Sequence, residues 1–422
     1  MPNNYVLLER TELAASAASV TFANIPQTGY TDLKIVLSAR TDSANVYRNV
    51  FISFNGNTSS FSSRELYGTG SATGSGNSSS SPGGGQGVGY VNGTTTTAST
   101  FSNNEIYIPN YTSSVAKSMS SDFTVENNAT SSLAGFVATL WNPGTQAAIT
   151  SITLTPDGAN FVANSTFSLY GLAALGTTPA IAPKASGGNI IDYDGTYWIH
   201  TFLSSGTFTP AIGLTCDYLV VAGGGAGGAG GNAAGAWGGG GGAGGYRTAS
   251  AQALTATGYS VTVGAGGAAV SAATGASGSD SVFNAITSSG GGGGGKNNTN
   301  GVAGGSGGGC GVATTAPRTG GAGNTPSTSP SQGNSGGSSS SSSQAGSGGG
   351  SSAAGTNGTS PTSGGAGTSN SITGSAVTYA AGGGFSNSTA GAANTGNGGG
   401  ANTTSSAAAG GSGVVIIRYP AA

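Results

Sequence analysis

The sequence has little charge and few side chains that bind metals or carry redox chemistry. Only 6 % of its 422 residues are charged, and 11 basic against 13 acidic residues give a net charge of −2. Binding to nucleic acid needs several Lys and Arg side chains to neutralise phosphates, so a basic nucleic-acid groove is excluded. One histidine and two cysteines supply at most the three ligands of the smallest His/Cys metal cluster, which needs three or four, so a metal site is not expected.

Membrane spans and export signals are also absent from the sequence pattern. Residues 1–20 lack a basic start followed by an apolar stretch, and no run of about 18 apolar residues occurs. We expect a soluble protein that is made without an export signal and does not insert into a membrane. Cys216 and Cys310 match no zinc or redox spacing. We expect two buried, unreactive thiols, and a disulfide between them stays open.

Candidates for catalytic groups are few. Catalysis needs a positioned acid, base or nucleophile, and His200 lies in an alternating, strand-like segment, where a structural or an exposed side chain is expected. Asp192 and Asp194 could form a carboxylate pair, but residues 192–195 have the composition of a turn. Glycine patterns of the GxGxxG type arise by chance here and lack the strand–helix context of a nucleotide site. We therefore predict no enzyme, no cofactor and no metal site.

Glycine is what the sequence has in excess, with 83 of 422 residues against a usual ~7 %. Most of these glycines lie beyond residue 220, where charged residues become scarce as well. The composition therefore predicts a first domain over residues 1–172, a Pro-containing linker over 173–189 and a glycine-rich domain over 190–422.

The first domain alternates short β-branched and aromatic runs with Gly, Asn, Ser and Pro clusters, which indicates an all-β fold. Leu33, Ile35 and Leu37 recur at every second position, as in a strand with one buried face. We predict a jelly-roll-like β-sandwich and interpret the polar segment 67–101 as a floppy surface loop. Further strands are predicted at Ser19–Phe22, Val50–Phe54, Glu105–Ile108, Phe123–Val125, Leu133–Trp141, Ile149–Thr155 and Thr166–Leu172.

The glycine-rich domain has no strict Gly-X-Y repeat, so it is not collagen. Local three-residue spacing suits a polyproline II-type helix, and we predict a polyglycine-II-like bundle crossed by a few strands. Its flanking strands are expected at Asp217–Val221 and Gly413–Tyr419. The alternative is a disordered low-complexity linker, of which Ser335–Ser352 is an example. The runs predicted to form the bundle are 223–231, 238–245, 290–295, 304–311, 382–384 and 396–400.

Segments of both halves resemble bacteriophage proteins. YVLLERTELAASAASVTFANIPQTGY (residues 5–30) and ITSITLTPDGANFVANSTFSLYGL (149–172) resemble an N-terminal module of virion structural proteins from marine tailed phages. YLVVAGGG (218–225), YSVTVGAGG (259–267) and GGSGVVIIRYP (410–420) resemble the glycine-rich domain of phage tail-fibre and adhesin proteins.

This resemblance implies a virion structural protein that assembles in the host cytoplasm and is exposed on the particle surface. We expect a tail-fibre component or receptor-binding adhesin that contacts a host surface glycan or an outer-membrane protein. The alternative is a capsid decoration or head-fibre protein. The sandwich would attach to other virion proteins in the tail or capsid, with the glycine-rich domain distal. A homo-oligomer is expected, and a trimer is our guess.

In the related adhesins, loops between glycine motifs carry the receptor contacts. By position, the comparable loops of this chain are 232–237, 296–303, 313–332 and 385–397. The candidate receptor-binding residues, chosen as loop aromatics and amides, are Trp237, Asn297, Asn298, Phe385 and Asn387.

Overall fold

The computed structural model describes most of the chain: residues 5–77, 80–81, 84–125, 133–145, 147–173, 182–231, 237–312, 317–340, 344–358, 363–385, 388–402 and 406–421. Every secondary-structure element assigned in these residues is a β-strand, which confirms the predicted all-β class. The chain divides into two compact units. The first comprises the described residues among 1–183, 189–198 and 421, and the second those among 184–188 and 199–420.

Strands are numbered along the chain. They are β1 (Tyr5–Glu12), β2 (Val20–Phe22), β3 (Tyr30–Ala39), β4 (Tyr47–Phe54), β5 (Phe61–Gly68), β6 (Thr73–Gly76), β7 (Ser80–Ser81), β8 (Gly85–Asn92), β9 (Ser102–Ile108), β10 (Lys117–Val125), β11 (Leu133–Trp141), β12 (Ile152–Pro156), β13 (Thr166–Ala173), β14 (Ala185–Ser186), β15 (Ile190–Tyr193), β16 (Tyr197–Phe202), β17 (Gly206–Pro210), β18 (Leu214–Val221), β19 (Tyr246–Leu254), β20 (Tyr259–Thr262), β21 (Ser281–Phe283), β22 (Ile286–Ser288), β23 (Thr368–Asn370), β24 (Val377–Tyr379) and β25 (Val414–Pro420).

Two sheets pack together in the first unit. The larger has the order β15-β1-β13-β3-β9-β10-β11-β5-β6 and the smaller the order β2-β12-β4-β8-β7. Leu33, Ile35 and Leu37 of β3 are fully buried, and they share one apolar cluster with Ile52 and Phe54 of β4. Because every second side chain of a strand points to the same face, this core lies between the two sheets. The unit is a β-sandwich, as predicted.

The interpretation of residues 67–101 as a floppy loop is wrong. This segment contains β6 and β8, and β8 is buried along almost its whole length while it pairs with β4. A Cβ atom on Gly89 of β8 would collide with Asn104 and press on Phe123. Glycine therefore lets β8 pass close beneath the neighbouring side chains. Three glycines interrupt the valines and the tyrosine of β8 (GQGVGYVN), and they weaken the pattern of β-branched and aromatic residues by which strands are recognised in a sequence.

The two predicted flanking strands are confirmed in the second unit, where they pair with each other. β18 and β25 are antiparallel neighbours, and Asp217 lies opposite Arg418 with their Oδ2 and Nε atoms 3.0 Å apart. One sheet has the order β19-β18-β25-β16, to which residues 199–202 of β16 belong, and a second has the order β14-β17-β20-β21-β22. The strands β23 and β24 form a separate pair.

Between these strands, glycine-rich segments lie side by side, some antiparallel and some parallel to their neighbours. Residues 222–231 continue from β18 and residues 238–245 lead into β19. The N–H of Gly225 donates to the carbonyl of Gly242, and that of Gly228 to Gly239, both at 2.8 Å. Residues 289–296 and 305–311 add further members, since Gly295 donates to Gly309 at 2.8 Å. We call this bundle of segments the glycine lattice.

Hydrogen bonds in the glycine lattice repeat every third residue. The segment 222–231 donates to three different neighbours in rotation, and the donor–acceptor pairs are 223–279, 226–276 and 229–273 for one neighbour, 224–411 and 227–408 for the second, and 225–242 and 228–239 for the third. A return to the same neighbour after three residues indicates three residues per turn, the geometry of a polyproline II-type helix. The predicted polyglycine-II-like bundle is confirmed.

Backbones in the lattice approach too closely for side chains at the contact positions. A Cβ atom on Gly228 would overlap the carbonyl of Gly295, and one on Gly239 would overlap that of Gly309. Helices of this type have no internal backbone hydrogen bonds, and buried N–H groups need partners. Bonds between neighbouring helices therefore hold the lattice together, and glycine is what allows them to form.

The interpretation of Ser335–Ser352 as a disordered linker is wrong for its described residues, 335–340 and 344–352. Gly337 donates to Ser347 and Gly349 donates to Gly307, both at 2.8 Å, and Ser347 is fully buried. Its low-complexity composition resembles that of disordered segments because it offers little apolar surface for burial. Backbone hydrogen bonds order the segment instead.

Replacing a lattice glycine by alanine should be strongly destabilising. Gly228→Ala forces a methyl group into the Gly295 carbonyl, and overpacking of this kind costs about 1–3 kcal/mol. Gly213→Ala is the matched control in the same unit, because the nearest atom to its Cβ would be Leu254 O at 3.7 Å. Thermal unfolding of the full chain should show a lower melting temperature for Gly228→Ala only. Equal melting temperatures for both variants would contradict the close-approach requirement.

Candidate functional site

The segments of the glycine lattice reverse direction at the end that lies away from their flanking strands. Gly239 donates to Gly295 at 2.8 Å, and Gly238 donates to Asn402 at 3.3 Å, so several segments end side by side. We call this region the turn end. It is defined by Gly231, Trp237, Lys296, Asn297, Val312, Phe385 and Asn402.

Two of the predicted binding residues, Trp237 and Phe385, contact each other at the turn end. Their ring centroids lie 5.5 Å apart at an interplanar angle of 75°, an edge-to-face arrangement. Phe385 is buried in a small cluster with Ala345 and Ala401, and Trp237 packs against this cluster while half-buried. The backbones of Trp237 and Val312 exchange two hydrogen bonds of 2.8 Å. This pairing fixes the position of the indole ring.

Asn297 and Asn298 lie in a turn that begins at Lys296. The N–H of Thr299 donates to the Lys296 carbonyl at 3.0 Å, and the N–H of Asn297 donates to Ala229 at 3.2 Å. Asn298 has a φ of 58°, a left-handed conformation in which asparagine is enriched. Both side chains are half-buried. The fifth candidate, Asn387, lies outside the described residues.

Trp237 and Asn297 each carry a buried polar atom that lacks a hydrogen-bond partner within the described part of the chain. These atoms are the indole Nε1 of Trp237, a donor, and the amide Oδ1 of Asn297, an acceptor. Buried polar groups in folded proteins are nearly always paired, and an unpaired one costs about 1–3 kcal/mol. The turn end therefore holds one donor and one acceptor whose hydrogen-bonding capacity is unused within the described residues.

Parts of two predicted loops lie at the opposite end of the lattice. Tyr246, where β19 begins, donates its N–H to the Gln332 carbonyl at 2.8 Å, and the Gln332 side chain accepts from Ser289 at 2.8 Å. Likewise Ala380, which follows β24, donates to Thr395 at 2.8 Å. The regions around Gln332 and Thr395 thus belong beside the strands. The sequence of a loop between two glycine runs does not indicate at which end of the lattice the loop lies.

His200 has a structural role, one of the two alternatives expected for it. Its ring is fully buried, with Nδ1 2.7 Å from the Gly187 carbonyl and Nε2 3.0 Å from the Tyr419 hydroxyl. The Ala185 N–H also donates to that hydroxyl at 3.1 Å. One arrangement of protons satisfies all three contacts: Nδ1–H donates to Gly187, and Tyr419 donates to Nε2. Burial lowers the pKa of His200 to about 4, so the ring is neutral at pH 7.

The predicted turn at residues 192–195 is confirmed for Asp194 and wrong for Asp192. The Asp194 carboxylate accepts from the N–H groups of Thr196 and Tyr197 at 2.9 and 2.7 Å, as in an Asx turn. Asp192 instead lies in β15, and the register of β15 with β1 sets it beside Glu9. Burial and the charge of Asp192 raise the pKa of Glu9 to about 9. Burial also raises the pKa of Asp192.

Neither cysteine forms a disulfide, and both thiols are buried, as expected. Burial raises the pKa of Cys216 to about 12, which keeps it protonated and unreactive at neutral pH. Within the described ranges, no three His, Cys, Asp or Glu side chains are grouped so that they could hold a metal ion. The same residues contain no helix with the length and hydrophobicity required to span a bilayer.

Comparison with known families gives one match. A family model described as a glycine-rich domain matches residues 203–420, which is just over half of the chain. The matched range contains the whole of the glycine lattice and the turn end. No curated protein matches the chain.

Replacing His200 should change how stability depends on acid. The unfolded ring titrates near 6.5 and the folded ring near 4, so the stability it contributes is present above pH 6.5 and is lost as the pH falls towards 4. His200→Gln should cost about 1–3 kcal/mol at pH 7 through lost hydrogen bonds. Its deficit against wild type should shrink by about 1.4 kcal/mol per pH unit below 6.5. Denaturant unfolding between pH 7 and 4 measures this; a constant deficit would contradict a buried neutral ring.

Replacing Glu9 should have the opposite pH signature. The folded carboxyl stays protonated up to about pH 9, against an ordinary value of 4.5, so its stabilising contribution is complete below pH 4.5 and is lost as the pH rises to 9. In this window wild type should lose about 1.4 kcal/mol per pH unit relative to Glu9→Gln. Amide exchange of β1 in the full chain, measured at pH 5 and 9, reports the difference. Thr11→Ser, on the same strand and without an ionisable group, is the control and should show no such trend.

Proposed function

We propose that this chain, which belongs to the glycine-rich domain family, is a bacteriophage virion protein and that it binds the host cell surface. In this proposal it is a tail-fibre component or receptor-binding adhesin, and the turn end of the glycine lattice makes the contact. The receptor is a surface glycan or an outer-membrane protein. The first unit attaches the chain to other virion proteins.

One observation carries the proposed contact: within the described residues, a donor on Trp237 and an acceptor on Asn297, both at the turn end, are buried without a hydrogen-bond partner. The donor is fixed because Trp237 packs on Phe385 and hydrogen-bonds to Val312. In this proposal binding uncovers the two atoms, and a receptor with hydroxyl or amide groups satisfies both, which recovers the free energy of the two groups that lack partners. The phage origin rests on the resemblance of the segments at 5–30, 149–172 and 218–225 to virion proteins.

The lattice also suits an exposed, load-bearing role. Each helix is tied to several neighbours by backbone hydrogen bonds along its length, so turns can differ in sequence while the support beneath them stays the same. A capsid decoration or head-fibre protein is the alternative location, with the same turn end exposed. Labelled antibody against the chain, viewed on virions by electron microscopy, distinguishes head from tail.

Substitutions at the turn end should weaken host binding without unfolding the protein. Trp237→Phe keeps the ring packed on Phe385 but removes the Nε1–H donor, and Asn297→Ala removes the acceptor. Each should reduce affinity about five- to tenfold, the value of one hydrogen bond near 1 kcal/mol. The assay is competition by the purified full chain against adsorption of the phage that carries it, on the strain where that phage forms plaques.

Ile212→Ala is the matched control, since Ile212 is 52 % exposed in the same unit and lies before β18 rather than at the turn end. It should compete like wild type. Neither turn-end variant should melt far below wild type, because each substitution removes a buried polar atom that has no hydrogen-bond partner within the described residues. Failure of wild type to compete would overturn the adhesin proposal, and equal loss in all three variants would exclude the turn end as the contact.

A further inference from the structure

The outer face of the larger sheet in the first unit carries a cavity that is lined by side chains from several strands. Its volume is about 260 Å³. Strand registers place Phe136 of β11 opposite Asp122 of β10, and Asp122 opposite Glu105 of β9. Lys34 of β3 lies opposite Tyr107 of β9 in the adjacent row. The cavity belongs to rigid, hydrogen-bonded strands, so its lining is held in place before any ligand arrives.

The floor of this cavity combines two acceptors with one donor. Lys34 Nζ lies 2.6 Å from Glu105 Oε2, and the Glu105 side chain is 42 % exposed. Asp122 is exposed as well. Carboxylates placed directly opposite each other on neighbouring strands repel and destabilise a sheet. In a chain with only 6 % charged residues, two carboxylates and a lysine in one cavity are a costly arrangement, which points to a use in binding.

Aromatic rings flank these polar groups. Phe136 is 44 % exposed and Tyr5 is 50 % exposed, and both line the cavity. Lys34 Nζ lies 5.4 Å from the centre of the Tyr5 ring, within cation–π distance. Tyr107 donates to Asp32 at 2.6 Å, which holds its ring against the cavity wall. Large apolar side chains are thus left uncovered beside charged groups that can hydrogen-bond.

We propose that this cavity binds one neutral sugar ring of a larger glycan. The apolar C–H faces of a pyranose would pack on Phe136 and Tyr5, its hydroxyl groups would donate to Glu105 and Asp122, and Lys34 would donate to a ring hydroxyl. Binding pockets commonly combine aromatic walls with a few placed polar groups. A volume below the ~300–1,000 Å³ of drug-sized ligands suits a single ring. This site is in the first unit and does not depend on the proposed virion role.

Other ligand classes fit the same residues less well. An anionic ligand such as a phosphate would meet two carboxylates against one lysine and would be repelled. A basic peptide would match the excess negative charge, but Lys34 already lies within salt-bridge distance of Glu105 and at cation–π distance from Tyr5, so it occupies these partners and repels a second cation. Salt dependence separates these cases, since binding of a neutral sugar is insensitive to ionic strength whereas binding of a cation is screened.

The test is a glycan array of neutral oligosaccharides built from glucose, galactose, mannose and N-acetylglucosamine, probed with the labelled full chain. Wild type should bind at least one of them, and isothermal titration with that oligosaccharide should give an affinity that changes less than twofold between low and high salt. Phe136→Ala and Asp122→Ala should each lower this affinity at least tenfold.

Leu140→Ala is the control, since Leu140 is 41 % exposed on the same strand as Phe136 and does not line this cavity. It should retain wild-type affinity, and circular dichroism should show that every variant folds. Absence of any glycan signal for wild type overturns the proposal, as does equal loss of affinity in Leu140→Ala. A strong weakening by salt also overturns it in favour of a cationic ligand. Turn-end variants such as Trp237→Phe should leave binding to this cavity unchanged.

Discussion

The second unit depends on one constraint: a polyproline II-type helix makes no backbone hydrogen bonds of its own, so every buried N–H must find a carbonyl on a neighbour. Residues 222–231 meet this requirement by bonding to three neighbours in rotation. These hydrogen bonds bring neighbouring backbones so close that most of the lattice glycines have no room for a Cβ atom. A single segment therefore has no stable structure alone, and the side-by-side layout of the segments, the glycine content and the flanking β18–β25 pair all follow from this need for neighbours.

Much of the fold was accessible from the sequence because two kinds of repetition are visible there. Leu33, Ile35 and Leu37 show the alternation of a half-buried strand, and the runs at 223–231 and 238–245 show the glycine that close packing needs. The predictions from sequence were wrong for two segments whose composition is unusual for the structure that they form. β8 is a strand with three glycines among its eight residues, and 335–352 is a lattice segment built largely from serine. In both, order comes from backbone contacts whose partners are distant in sequence, and local composition does not record them.

The two candidate sites differ in what the sequence could reveal. At the turn end, the sequence predicts Trp237, Asn297 and Phe385 as candidates because they are aromatic or amide groups in loops. Only the structure shows that Trp237 packs on Phe385 and that the Asn297 oxygen has no hydrogen-bond partner among the described residues. In the first unit, alternation alone puts Lys34, Glu105 and Asp122 on outward faces. Their meeting in one cavity depends on the order β3-β9-β10-β11, which no local pattern encodes.

The three-residue repeat of hydrogen bonds has a consequence for how such a protein can change in length. Adding or removing three residues within a lattice segment leaves each remaining donor directed at its former neighbour. A change of one or two residues rotates the rest of the segment by about 120° or 240° and directs its donors to the wrong helices. Length variation within the lattice is therefore confined to multiples of three. The turns do not take part in this three-residue repeat, so their length can change without redirecting the hydrogen bonds of the lattice.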